Sequence, residues 1–149
     1  MRLTASSRDT VLAILDLAVH SGTDYKGVKA VKLQDIAERQ SIALSWLEQL
    51  FARLRKQDIV KSVRGPGGGY ILAGDAGQIS VASLMSCASG AIDMRQCQGK
   101  GNCRTGQHTS HQCLAHNLWD YISDQLNTTL SGISIEDIIN KLNLNTLRE

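Results

Sequence analysis

The chain has 149 residues, 42% of them apolar, and a formal charge of +2, which suits one domain with a proper core and excludes wholesale disorder. No apolar run approaches the roughly 20 residues that span a bilayer. Met1-Arg2-Leu3-Thr4 lacks the apolar centre of a signal peptide, so a cytoplasmic protein with reduced thiols is expected.

Charge is unevenly spread. Residues 1–80 carry 11 Lys/Arg against 8 Asp/Glu, and residues 81–149 carry 5 against 6. The first, mildly basic part is the one suited to nucleic acid. It opens with Val11, Leu12, Leu15 and Ala18 at helical spacing between Ser7 and Val19. Ser6 or Ser7 can cap that helix. His20, at its end, reads as structural. The stretch from His20 to Lys32 is rich in Gly, Asp and Lys and reads as a solvated loop. Leu33, Ile36 and Ala37 then predict a short helix over 33–39. After the turn Gln40-Ser41-Ile42, a third helix follows with Leu44, Leu47, Phe51 and Leu54 on one face. Two short helices joined by so brief a turn form a helix-turn-helix.

A hairpin comes next. Residues 59–64 read as a strand, Gly65-Pro66-Gly67-Gly68-Gly69 as a tight turn, and Tyr70-Ile71-Leu72 as the returning strand. A hairpin directly after a helix-turn-helix is a wing. The predicted fold is mainly α with a small β-hairpin: a winged helix-turn-helix over 1–80, followed by a long dimerisation helix.

The third helix would enter a major groove about 12 Å wide. Gln49 can bridge adenine and Glu48 can accept from the cytosine amino group. Ser45 and Trp46 lie beside them at the helix start. Arg64, at the wing tip, suits a narrow minor groove. Arg53, Arg55, Lys56 and Lys61 suit phosphates, which position without reading sequence. The candidate DNA contacts are thus Ser45, Trp46, Glu48, Gln49, Arg53 and Arg64. Two alternatives stand beside them. Glu48 follows Ser45 at capping-box spacing, and Trp46 can be a partly buried core residue.

Ser80 can cap a short helix over 81–88, with Val81, Leu84 and Met85 inward and Cys87 a small buried thiol. Residues 89–112 show little periodicity, and a stretch of that length in a compact domain is usually functional or disordered. It holds Cys97, Cys103, His108 and His111, with Cys113 and His116 at its end. Thiolates are soft ligands that favour zinc or iron–sulfur clusters. Cys113 and His116 are one helical turn apart, so a helix there would aim both at one point. Cys97, Cys103, Cys113 and His116 are the candidate ligands, with His108 and His111 as alternatives for the imidazole. Their gaps do not match the paired spacing of zinc fingers, and spacing alone does not choose between zinc and a cluster.

From Cys113 onward, Leu114, Leu118, Ile122, Leu126 and Leu130 recur every four residues, widened by Trp119 and Tyr121. So apolar a helix needs a partner beyond the small winged domain, so a homodimer is expected, alongside packing on the first helix. Ser134 and Asp137 cap a last helix over 135–142. Residues 81–112 therefore read as a short helix and ligand loop, and 113–149 as the dimerisation and C-terminal helices.

Five segments together resemble the IscR family of iron–sulfur cluster regulators. They are Met1 to Thr4, Leu47 to Lys56, the wing Ser62 to Tyr70, Cys97-Gln98-Gly99-Lys100-Gly101, and Cys113-Leu114 with His116, Leu118 and Trp119. The resemblance implies a homodimeric repressor or activator with a 2Fe-2S cluster on Cys97, Cys103, Cys113 and His116. It implies a double-stranded operator, cluster-assembly and stress genes as targets, and cluster-assembly proteins as donors. Glu48, Gln49 and Arg64 match the family's DNA-contacting positions. The chain departs from the pattern in a longer gap between Cys103 and Cys113, a longer segment around Tyr25 to Lys29, Asp9 in place of an aromatic residue, Ala43 in place of a serine, and Ser41 in place of a turn glycine. Two rival readings are a nitric-oxide-sensing relative, which can use a carboxylate near the N-terminus such as Asp9, and a zinc-stapled interaction module. No nucleophile, base and oxyanion donors are organised, so an enzyme is not expected.

Overall fold

The computed structural model describes residues 5–24, 27–90, 93 and 116–142. Its centre is α1 (Ala5–His20), whose Ala13, Ile14 and Leu17 are fully buried. The helix starts before Ser6 and Ser7, so neither is its cap. Ser7 is a buried helical residue, and its Oγ lies 2.8 Å from Ser89 Oγ. A serine that looks like a helix start in sequence serves here as a tertiary contact.

The segment expected to be a solvated loop contains a small hairpin. β1 (Gly22–Asp24) and β2 (Gly27–Lys29) pair antiparallel with Thr23 opposite Val28. These strands are too short and polar to show alternation, which is why periodicity misses them. Val31 follows and exchanges two backbone bonds with Tyr70, at 2.9 and 2.7 Å.

α2 (Leu33–Gln40) and α3 (Leu44–Lys56) form the helix-turn-helix. The turn is built by Ser41 in the left-handed region, φ 55°. Ile42 N–H then reaches back to the Ala37 carbonyl at 3.0 Å, a Schellman ending that normally favours glycine. α3 ends the same way, with Asp58 at φ 53° and Ile59 N–H on the Leu54 carbonyl at 3.0 Å. Leu47, Leu50, Phe51 and Leu54 are fully buried. Leu44, expected on the same face, is 39% exposed because it sits on the rim where the helix begins.

β3 (Val60–Val63) and β4 (Gly69–Leu72) make the wing, with Val60 opposite Leu72 and Val63 opposite Gly69. Gly68 N–H closes on the Gly65 carbonyl at 2.9 Å. Pro66 and Gly67, the latter at φ 77°, are the inner residues of a type II turn, which needs glycine at its third position. Gly69 is needed for a different reason. A Cβ there would stand 2.3 Å from the Val31 carbonyl oxygen.

A 3₁₀ turn (Ala76–Gln78) leads to α4 (Val81–Ser89). Ser80 caps α4 by accepting from Ser83 N–H at 3.2 Å. α5 (His116–Ser131) and α6 (Ile135–Lys141) complete the described chain. The expected capping box at α6 is present, with Ser134 and Asp137 bonded reciprocally. Those side-chain and backbone bonds from Ser134 hold the Asp137 carboxyl below its ordinary value. Ile135 and Ile139 of α6 join the core that contains α1 and α3. The joint is tied by Val81 N–H to the Ile133 carbonyl and Ile135 N–H to the Ile79 carbonyl, both 2.9 Å.

α5 packs beside α4, yet its apolar stripe is only partly covered. Ile122, Leu126 and Leu130 are half-buried, while Leu118 and Tyr121 are 53% and 63% exposed. No described helix is long and apolar enough to cross a membrane.

Candidate nucleic-acid interface

The periodicity of α3 divides it into two faces. The inner face is the buried Leu47, Leu50, Phe51 and Leu54. The outer face presents Ser45, Glu48, Gln49 and Ala52, all exposed. Residues three and four apart share a face, so Ser45, Glu48 and Gln49 line up beside one another near the helix start.

The capping-box alternative for Glu48 is not realised. Ala43 is the N-cap residue of α3 and no side chain caps it. Ser45 lies inside the helix, so it cannot hold the first turn as a cap would. Trp46 is half-buried against the core, in keeping with the reading of it as a partly buried core residue.

The wing is held against this helix. Phe51 and Tyr70 rings meet edge to face with centroids 5.0 Å apart, a geometry worth about 0.5–1.5 kcal/mol beyond burial. Tyr70 is also the residue bridged to Val31. One aromatic side chain therefore links β4 to α3, while its backbone links β4 to the segment leading into α2. Arg64 is exposed immediately before the wing turn. Lys61, Arg55 and Lys56 are exposed too.

A buried ion pair positions the helix-turn-helix on α1. The Asp16 side chain is fully buried. Arg39 Nη2 donates to Asp16 Oδ1 at 2.6 Å and Arg39 Nε to Oδ2 at 2.9 Å. Gln40 Nε2 donates to Oδ2 at 2.7 Å. These bonds to Asp16 raise the already high Arg39 pKa. His20 Nδ1 lies 2.9 Å from the Asp16 carbonyl oxygen and 3.5 Å from Asp16 Oδ1. The sequence offers no signal for this cluster, because Asp16 is separated from Arg39 and Gln40 by the last turn of α1, a hairpin and most of α2.

Arg53 stands four residues after Gln49, one turn further along α3. Its Nη1 donates to the Ala88 carbonyl of α4 at 3.4 Å. Ser45, Glu48, Gln49 and Arg53 are thus exposed along α3, Arg53 with one bond to α4, while Trp46 is half-buried and Arg64 is exposed on the wing.

Of the candidate ligands, Cys97, Cys103 and Cys113 lie outside the described residues, as do His108 and His111. His116 is the first residue of α5. Among the described residues, no group of three or more His, Cys, Asp or Glu is placed to hold a metal ion. Cys87 is buried as expected.

Comparison with known proteins agrees with this architecture. The Rrf2 family, described as an iron-dependent transcriptional regulator, matches residues 3–141. The HTH-type transcriptional regulator IscR of Cronobacter sakazakii is 48% identical over 140 residues, which is 94% of this chain and 81% of that one. The IscR regulator of an Enterobacter species is also 48% identical, over 94% and 80% of the two chains. Among solved structures, T. potens IscR superposes with a TM-score of 0.74 at 29% identity, covering 95% of this chain and 88% of that one. CymR of B. subtilis, at 23% identity and a TM-score of 0.73 over 95% and 98% of the chains, shares the fold. The chain therefore belongs to the Rrf2 family of winged-helix proteins, and it is a DNA-binding transcriptional regulator and not an enzyme.

Proposed function

We propose that this regulator is a homodimer whose choice of DNA is set by a 2Fe-2S cluster on Cys97, Cys103, Cys113 and His116. The observation that carries the reading is the donor set itself. Three thiols and one imidazole fall within residues 97–116 of a chain 48% identical to an IscR regulator. Three thiolates and one neutral imidazole fit such a cluster chemically, since cysteine thiolates with histidine replacing some of them are known iron–sulfur ligands. A bound cluster would supply a redox-active, iron-dependent cross-link within the ligand segment.

The chain's own residues do the reading. Glu48 and Gln49 address base edges in the major groove, with Ser45 and Trp46 at their margin. Arg64 reaches into the minor groove. Arg53, Arg55, Lys56 and Lys61 meet phosphates and fix the register. Leu118, Trp119 and Tyr121 of α5 meet a second copy, which places two recognition helices on two half-sites. The protein acts in the cytoplasm on cluster-assembly and stress genes, and cluster-assembly proteins act as donors. Residues 1–80 serve as the reader, 81–112 as the sensor and 113–149 as the dimer arm.

The test is selection from a random DNA pool, performed with cluster-loaded and with cluster-stripped protein. The two forms are expected to enrich different sequences, and the stripped form to lose about fivefold or more in affinity for the loaded form's best site. Enrichment of one sequence with one affinity by both forms contradicts the proposal.

A further inference from the structure

α3 carries two exposed ridges side by side. Residues four apart on a helix follow one another along a ridge. Leu44, Glu48 and Ala52 form the first ridge, and Ser45, Gln49 and Arg53 form the second. All six are exposed. The second ridge holds hydrogen-bonding groups throughout. The first sets a carboxylate between two apolar side chains. Glu48 makes no ion pair among the described residues, so its carboxylate is free to accept from outside. A lone exposed leucine is ordinary. What distinguishes Leu44 is its place: it is the first residue of α3, one turn before Glu48 and 39% exposed. Leu47, Leu50, Phe51 and Leu54 are fully buried along the other side of the helix, which fixes how far α3 is turned about its axis and keeps both ridges outward.

In the major groove a purine presents N7 with O6 or N6, whereas a pyrimidine presents the cytosine amino group, or the thymine O4 and methyl group. Gln49 suits the adenine pattern, and Glu48 suits the cytosine amino group. Apolar contact is how a side chain reads a thymine methyl. We propose that Leu44 and Ala52 are specificity-determining residues that touch thymine methyl groups, one on each side of the base that Glu48 addresses. The ridge 44-48-52 then reads pyrimidines, while Gln49 on the neighbouring ridge reads a purine. Eight residues of helix span about 12 Å, so the two thymines stand within about four base pairs of each other. The inference deepens the DNA reading above and rests on Glu48 facing the major groove. It does not depend on a cluster.

The test is a deoxyuridine scan of the best duplex that the full chain selects from a random pool. Exchanging one thymine for deoxyuridine removes the methyl group and keeps the base pair and its O4. In the parent, two such exchanges per half-site are expected to cost about threefold each in affinity, the worth of one buried methyl group. They should flank the position at which Glu48→Ala relaxes preference. Leu44→Ala should bind thymine and deoxyuridine alike at one of the two and keep the discrimination at the other. Ala52→Gly should do the reverse. Both residues are exposed, so neither variant empties the core. Each comparison sets two duplexes against one protein, so a change in stability cancels from the ratio. A parent indifferent to every exchange overturns the proposal, as does a selected site without thymine at these positions. Discrimination retained at both positions in both variants overturns it too. If Glu48→Ala relaxes no position, the reading of Glu48 fails, and the scan of the parent against Leu44→Ala and Ala52→Gly still decides the apolar contacts.

Discussion

Arg39→Leu is expected to destabilise the protein by about 3 kcal/mol, among the largest effects of any single polar substitution. The size follows from what is left behind. An exposed ion pair contributes about 0–1 kcal/mol, whereas removing one partner of a buried pair costs about 3–5. The Arg39 side chain is 35% exposed but that of Asp16 is fully buried, so the variant strands a carboxylate away from water. Gln40 still donates to Asp16, which places the cost at the low end of the range. For a domain of this length the loss corresponds to about 6–12 °C in Tm. The double variant Asp16→Leu/Arg39→Leu should recover most of it, because no buried charge remains. Thermal unfolding of the parent and both variants measures this. A single variant within about 0.5 kcal/mol of the parent would show that Asp16 does not need its partner.

Changes at the outer face of α3 and at the wing should weaken DNA binding without touching stability. Gln49→Ala and Glu48→Ala are each expected to cost about 1–3 kcal/mol on the best site, roughly fivefold to 150-fold, and to relax preference at one base pair. Arg64→Ala should weaken binding most on sites with a narrow A·T minor groove. Lys61→Ala should weaken all sequences about equally and lower the salt slope by about one. Binding titrations over several salt concentrations on matched and mismatched duplexes separate these cases. Equal losses on every sequence for Gln49→Ala would make it a positioning contact and not a reader.

The parts of the fold that were legible in sequence are those whose signals are local. The inward face of α3 follows from Leu47, Phe51 and Leu54 at helical spacing, and the wing from the glycine run around Pro66. The caps at Ser80 and Ser134 are also local signals, and both are present. The parts that were not legible depend on contacts distant in sequence. Ser7 has the composition of a cap, but its partner is Ser89. Asp16 and Arg39 look like surface charges until the fold buries the carboxylate. The β1–β2 hairpin is too short and polar to announce itself. Arg53 shows the same limit within the candidate interface. An exposed arginine on a recognition helix suits a phosphate in sequence, and its bond to the Ala88 carbonyl is visible only in the fold. For the ligand segment, sequence carries the chemistry through residue type and spacing, while Cys97, Cys103 and Cys113 lie outside the described residues.

The most direct test of cluster control is purification without oxygen, followed by an absorption spectrum with iron, sulfide and zinc analysis, repeated on Cys103→Ala and His116→Ala. The account predicts a coloured protein with matched iron and sulfide, close to two of each per chain for a 2Fe-2S centre. Colour should be lost in Cys103→Ala and weakened in His116→Ala. A colourless protein with one zinc per chain, or with no metal, would contradict it and leave a winged-helix regulator whose signal is something other than a cluster.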